Sequence, residues 1–226
     1  MAAMDLLLLG HITSVVLIDY FAVIVGVVMG ALFAAKRNLD VIGSVAMALL
    51  TGFGGGVIRD TLLHDQGFFF MEHPLLVVCC AVVAALVFFG AHRMQQLQRL
   101  DTLLVAADAL SVALFALAGA AKAWEAGVGP IYAVVLGTIT AVGGGALASI
   151  AIAETPRIFK SSDYYAIAGF AGALAYCACA LFSLPQLACS TACVVACLGI
   201  RALSLKLNLK TRPASALAKG EAERHG

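Results

Sequence analysis

The chain has 226 residues, 62% of them hydrophobic and only 12% charged, with a formal net charge of +1. Average soluble domains carry about 25% charged residues, so this chain cannot clothe a globular surface in water. A mean hydropathy of +1.01 and apolar runs recurring at spanning length, about 18 residues or more, specify an all-α polytopic membrane protein.

The opening MAAMDLLLLGHITSVVL has no basic region ahead of its apolar run and carries Asp5, so it reads as a retained leader into the first span. That span is expected from about His11 to Ala35, with Asp19 inside it and Gly26 and Gly30 spaced for close helix packing. The second, Asp40 to Leu63, contains 51-TGFGGGVIRDTLL-63, in which three glycines precede an Arg-Asp pair. Phe68, Phe69, Phe70 and His73 then form a bulky cluster suited to the membrane interface, and His64 is read as an interfacial histidine.

The third span runs from Pro74 to about Ala91, and the fourth from about Thr102 to Ala121, with Asp108 inside and Lys122 just beyond. The fifth runs from Pro130 to about Ala153 and holds a second triplet, Gly143, Gly144 and Gly145. No charge appears from Tyr164 to Ile200, too long for one helix, so 183-SLPQ-186 divides a sixth span from a seventh. The polar end, 207–226, reads as a disordered tail.

Seven spans alternate the loops between two sides. Of the 14 lysines and arginines, only Arg59 and Lys122 fall on one side, leaving 12 on the other. Basic loops stay inside, which puts the N-terminus outside and the C-terminus in the cytoplasm.

Sliding the chain along itself by 89 residues puts Asp19 on Asp108, Gly30 on Gly119, Thr51 on Thr140, and Gly54, Gly55 and Gly56 on Gly143, Gly144 and Gly145. Each repeat holds three spans, an odd number, so the second copy is inserted upside down. The expected organisation is a repeat over 1–93, an inverted repeat over 94–184, an unpartnered seventh helix over 185–206, and the tail.

Glycine costs about 1 kcal/mol per residue relative to alanine in a helix. The triplets admit two readings. They break the helices and loosen carbonyls along a wet path, as inverted repeats interrupted at matching positions do. Alternatively, they let helices pack closely. The pathway reading is preferred because both copies keep polar neighbours; Thr51 and Thr140 beside the breaks belong to it. A phosphate-binding loop does not fit, since GFGGGV lacks the GxGxxG pattern and its βαβ context.

Charges inside a span cost about 2.5–3.5 kcal/mol on insertion scales and need partners. Arg59 is expected to bond Asp19 or Asp60 and to help form an outer gate, with a structural ion pair as the alternative. Asp108 has no matching arginine in its own repeat; Arg157, water or a passing cation are its candidate partners. Glu154 lies at the inner end of the fifth span. Ser44, Ser111, Thr138 and Ser149 supply hydroxyls that often bond their own helix. All seven cysteines lie in apolar runs, and Cys189, Cys193 and Cys197 share a face. Packing is preferred to metal binding, because no histidine or carboxylate accompanies them.

GGGVIRDTLL in the second span, GGG again in the fifth and the three-plus-three-plus-one layout resemble the prokaryotic trimeric intracellular cation (TRIC) channel family, also catalogued as glycine-transporter-like membrane proteins. The resemblance covers about residues 10–206. It implies a homotrimer with a pore in each protomer between the first two helices of each repeat. It further implies that the second and fifth helices bend at the glycines, and that monovalent cations, mainly potassium, pass. One departure stands out: many relatives follow the second triplet with arginine and aspartate, where this chain has Ala148 and Ser149. The cytoplasmic half of the path is therefore expected to lack a charge pair. Lys122 matches the lysine of a Lys-Glu-Val signature in eukaryotic members, but Ala123 and Trp124 follow it, so voltage control is not implied.

The expectation is a passive cation channel in a cell membrane, with no enzymatic activity, cofactor or resident metal. A carrier for a small amino acid such as glycine and a trimeric scaffold are the competing readings. No nucleophile-and-base pair, zinc signature or ATP-binding motif points elsewhere.

Overall fold

The computed structural model describes the backbone of residues 2–64, 67–95, 100–160 and 164–207, and side chains within 14–64, 67–91, 100–160 and 164–207. The tail, Arg93, Arg99 and Asp5 lie outside the described side chains. Helices are α1 (Ala2–Lys36), α2 (Val41–Leu63), the short α3 (Phe69–Glu72), α4 (Pro74–Gln95), α5 (Leu100–Glu125), α6 (Pro130–Ala151), α7 (Tyr165–Leu181) and α8 (Gln186–Lys206). A single 3-10 turn, Arg157–Phe159, lies between α6 and α7. No strand occurs among the described residues.

Local signals place the ends. Asp40 caps α2, its carboxylate accepting the Gly43 N–H at 2.7 Å, which satisfies a donor with no intrahelical partner. Pro130 opens α6, where its missing N–H costs nothing. The SLPQ break is a turn: Ser183 adopts φ 54° and Pro185 precedes the first residue of α8. Six helices are long and apolar enough to cross a membrane. The seventh, α7, has 17 residues, roughly 26 Å of helix. The expected seven spans are present; α1 begins well before His11, and α8 ends at Lys206, matching the expected 185–206.

α1, α2 and α4 pack together, as do their repeat mates α5, α6 and α7. α2 crosses α6 and α1 crosses α5, joining the two sets, while α8 lies against α7 and α5. The joint is reciprocal. A Cβ on Gly55 would lie 2.3 Å from the Thr140 carbonyl oxygen, and one on Gly144 would lie 2.3 Å from that of Thr51. Outside these, Gly54 faces Leu147 and Gly143 faces Ile58, each with a Cδ1 at 2.9 Å from the Cβ position. Gly30 and Gly119 meet the Thr51 and Thr140 hydroxyls in the same manner, at 2.7 and 2.6 Å. Every pair is related by 89 residues, and such exchange of partners is what a two-fold relation produces. Two inverted three-helix repeats plus a C-terminal helix describe the fold.

The triplets do not break their helices. α2 stays helical from Val41 to Leu63 and α6 from Pro130 to Ala151, so the expected loosened carbonyls are absent there. Close approach of two backbones has replaced them: between lipid-soluble helices, packing and hydrogen bonding rather than hydrophobicity drive association, and small residues admit both. The threonine hydroxyls follow the same logic, Thr51 donating to the Met47 carbonyl at 2.8 Å and Thr140 to that of Leu136 at 2.6 Å.

The third glycine of each triplet is different. A Cβ on Gly56 would have only Arg59 Nη2 nearby, at 3.8 Å. Gly55→Ala should therefore cost about 1–3 kcal/mol through overpacking, whereas Gly56→Ala should be neutral or stabilising by up to about 1 kcal/mol. Thermal unfolding of the two variants in detergent checks this contrast.

Candidate functional site

Two clusters of buried charge lie toward opposite ends of the helix bundle. At the first, Arg59 near the end of α2 is 1% exposed. Its Nη1 and Nη2 donate to Asp19 of α1 at 2.7 and 3.2 Å, and its Nε donates to Asp60 at 2.8 Å. A planar guanidinium can serve both carboxylates through fixed donors, which a lysine cannot. Lys122, at the end of α5, donates to Asp60 Oδ1 at 3.0 Å, and the Phe69 N–H donates to Asp60 Oδ2 at 3.1 Å. Two cations thus face two carboxylates under the roof made by α3. His73 helps hold that roof, its Nδ1 lying 2.9 Å from the Tyr20 hydroxyl. The expectation that Arg59 bonds Asp19 or Asp60 understates the arrangement: it bonds both.

The second cluster surrounds Asp108 of α5, 1% exposed. Its Oδ2 accepts from Arg157 at 2.7 Å and from Arg201 of α8 at 2.8 Å. Both guanidiniums lie against the Tyr165 ring, at 5.7 and 5.4 Å from its centroid, a cation–π arrangement that adds to their fixation. Asp108 is therefore paired, not a bare carboxylate, and the missing charge partner of the second repeat comes from elsewhere. The position equivalent to Arg59 is Ala148, which is buried, and Ser149 spends its hydroxyl on the Gly145 carbonyl at 2.9 Å. Arg201 supplies an arginine instead. Its sequence signal is a single charge in the last turns of an apolar helix, which marks it only as one of the basic residues of one side.

Near this second cluster a cavity of about 220 Å³ enters between the repeats. Lys36, Arg37, Arg157, Lys160 and Glu154 line it together with Met29, Thr51, Gly145 and Tyr165. Arg37 binds Glu154 at 2.5 Å and Lys36 binds Asp101 at 2.6 Å. The same Met29, Thr51, Gly145 and Tyr165 also border a chamber of about 10 Å³, completed by Ser111, Phe115, Ala141 and Gly144. Phe115 in turn borders another space of about 10 Å³ against Asp19, Arg59 and Asp60. Each small space is about the size of one water. Phe115 fits because its repeat mate is Gly26: a Cβ there would be 2.8 Å from the ring. The sequence shows that complementary pair once the offset of 89 is applied, but nothing in it singled out Met29, Phe115 or Tyr165.

The remaining candidates scatter. Gly54, Gly55, Gly143 and Gly144 sit in the helix crossing, while Gly56 and Gly145 border spaces beside Arg59 and Tyr165. Thr51 reaches the cavity wall, whereas Thr140, wholly buried, packs on Gly119. Thr138 bonds its own helix at 2.7 Å. Cys193 and Cys197 line the face of α8 that meets Gly172 of α7.

Comparison with known proteins agrees with this architecture. The family model described as "Glycine transporter" matches residues 16–92 and again 105–180, stretches that begin 89 residues apart. The inner membrane protein YadS of Escherichia coli K12 is 30% identical over 193 residues, 85% of this chain and 92% of that protein. A membrane protein of Deinococcus radiodurans is 30% identical over 157 residues, 69% of this chain and 72% of its own. The crystal structure of the TRIC trimeric intracellular cation channel orthologue from Rhodobacter sphaeroides superposes with a TM-score of 0.79 at 36% identity, over 87% of this chain and all of that one. A second TRIC cation channel structure gives a TM-score of 0.76 at 26% identity, over 87% of this chain and 95% of the other.

The clusters make different demands on stability. Arg59→Met strands the buried Asp19 and leaves Asp60 with Lys122 as its cation, and should cost about 3–5 kcal/mol, with part recovered by adding Asp19→Asn. Lys36→Gln, breaking a pair whose side chains are 45% and 74% exposed, should change stability by less than about 1 kcal/mol. Thermal unfolding of the three variants in one detergent tests the ordering.

Proposed function

The chain belongs to the glycine transporter family of membrane proteins, and from that premise we propose that it is a passive channel for monovalent cations, mainly potassium. The path runs through each protomer between α1, α2, α5 and α6, in a homotrimer held in the cytoplasmic membrane. One observation carries the reading: the cavity between the repeats shares four wall residues with a water-sized space, and Phe115 separates that space from a second beside the Arg59 cluster. The 36%-identical relative described as a cation channel supports the ion class. In this reading the N-terminus is outside and the C-terminus cytoplasmic, so the cavity opens to the cytoplasm and Arg59, Asp19, Asp60 and Lys122 close the outer end. The protein is not an enzyme and uses no cofactor.

The glycines then have divided roles. Gly54, Gly55, Gly143 and Gly144 hold the repeats together, while Gly56 and Gly145 keep the path clear of side chains. The family's description suggests a glycine carrier, but the interior favours a channel: a zwitterion with five heavy atoms does not fit a space of about 10 Å³, one water in size.

In planar bilayers the purified protein should give current steps in potassium, and liposomes should show potassium flux without saturable glycine counterflow. Saturable counterflow without current steps would replace the channel with a carrier. Arg59→Ala should raise open probability; unchanged gating with lower thermal stability would leave the cluster a structural role only.

The inner mouth is basic, Lys36, Arg37, Arg157 and Lys160 standing against Glu154. Fixed positive charge lowers the local cation concentration there. Lys160→Gln should therefore raise potassium current carried from that side at low ionic strength, and the difference should vanish at high salt, where the charge is screened. Current–voltage curves at two salt concentrations measure it.

A further inference from the structure

Of the second charge cluster, Arg157 and Tyr165 line the cavity, and Tyr165 alone also borders the chamber beyond it. Tyr165, at the start of α7, is 6% exposed. It borders both the cytoplasmic cavity and the chamber beyond it, as do Met29, Thr51 and Gly145. These four residues, from α1, α2, α6 and α7, are the neck between the two spaces. Two present little that can move: a hydroxyl bonded back to Met47 and a glycine; the third, Met29, is a flexible thioether for which no clamp is seen among the described residues. The fourth is a large ring whose hydroxyl oxygen lies 3.2 Å from where a Gly145 side chain would begin.

We propose that Tyr165 is the closing side chain of an inner neck, held in place by the Arg157–Asp108–Arg201 cluster. The inference rests on the channel reading for its purpose. Asp108 grips both guanidiniums, and the guanidiniums grip the ring. The two grips differ in permanence. Arg201 is buried within α8, its side chain 3% exposed, and serves as the fixed jaw. Arg157 stands on a 3-10 turn with its side chain 47% exposed, so water competes for it and it is the releasable jaw. Arg157, Asp108 and Arg201 are positioning residues, acting on the neck through Tyr165. The outer end closes through an ion cage built on α2; this end closes through an aromatic ring clamped by cations, with α8 supplying what the second repeat lacks.

Thiol accessibility tests the neck without depending on conduction. Ser111 borders the chamber and Ala146 the cavity, so the full-length protein is prepared with Ser111→Cys or Ala146→Cys and treated with a water-soluble methanethiosulfonate. Peptide mass spectrometry reads the engineered position separately from the native cysteines. Ala146→Cys should react quickly in every background. Ser111→Cys should react slowly with Tyr165 in place, at least tenfold faster with Tyr165→Ala, and several-fold faster with Arg157→Gln. Tyr165→Phe, which keeps the ring, should leave the rate low. Arg157→Gln, altering a half-exposed side chain, provides the answer if Tyr165→Ala does not fold. Equal Ser111→Cys rates with Tyr165, Tyr165→Ala and Arg157→Gln would overturn the proposal. Absent potassium flux alongside the expected labelling would instead sink the channel reading and leave the neck standing.

Discussion

At the crossing of α2 and α6 the Thr51 carbonyl lies where a side chain on Gly144 would have to be, and the Thr140 carbonyl lies where one on Gly55 would be. In water such a contact would be one of many that bury apolar surface. Between helices surrounded by lipid, hydrophobicity does not discriminate helix from solvent, and the energy must come from packing and from polar contacts made at short range. A backbone that comes this near gains both. The contact also sets geometry: with two helices locked at one level, the third glycine of each triplet is fixed beside its own cluster, Gly56 near Arg59 and Gly145 near Tyr165.

The repeats share this joint but differ in how they neutralise charge. Asp19 and Asp108 are mates, each almost wholly buried, and each needs cations that a lipid environment does not supply. The first repeat supplies an arginine on the neighbouring helix with a second carboxylate, and Lys122 reaches that carboxylate from α5 of the second repeat. The second has Ala148 at the equivalent place and draws Arg157 from the following loop and Arg201 from the unrepeated α8. The eighth helix therefore contributes chemistry as well as packing. It also breaks the internal symmetry, so that the two buried carboxylates are neutralised by different means.

Much of the hydroxyl and thiol inventory belongs to structure. Thr51, Thr138, Thr140 and Ser149 return their protons to carbonyls four residues earlier, which satisfies a polar group without leaving the helix. Of these, Thr51 also reaches the cavity wall, and Thr140 does not, because the inverted copies present their equivalent faces to different surroundings.

The sequence by itself determined the class, the span count, the two repeats and the pairing of Arg59. Each of these follows from local quantities: apolar run length, charge placement, and a fixed offset that carries glycines, aspartates and threonines together. It also identified the glycine triplets as special but assigned them to helix breaks. Cost within one helix is readable from composition, whereas the return on that cost lies in a second helix. Only the tertiary structure decided that the triplets form a crossing, that Arg201 turns inward to Asp108 across 93 residues, and that Phe115 and Tyr165 line internal spaces. Those outcomes depend on which face of each helix meets its neighbour, and among uniformly apolar helices the hydrophobic pattern that would reveal the face is missing.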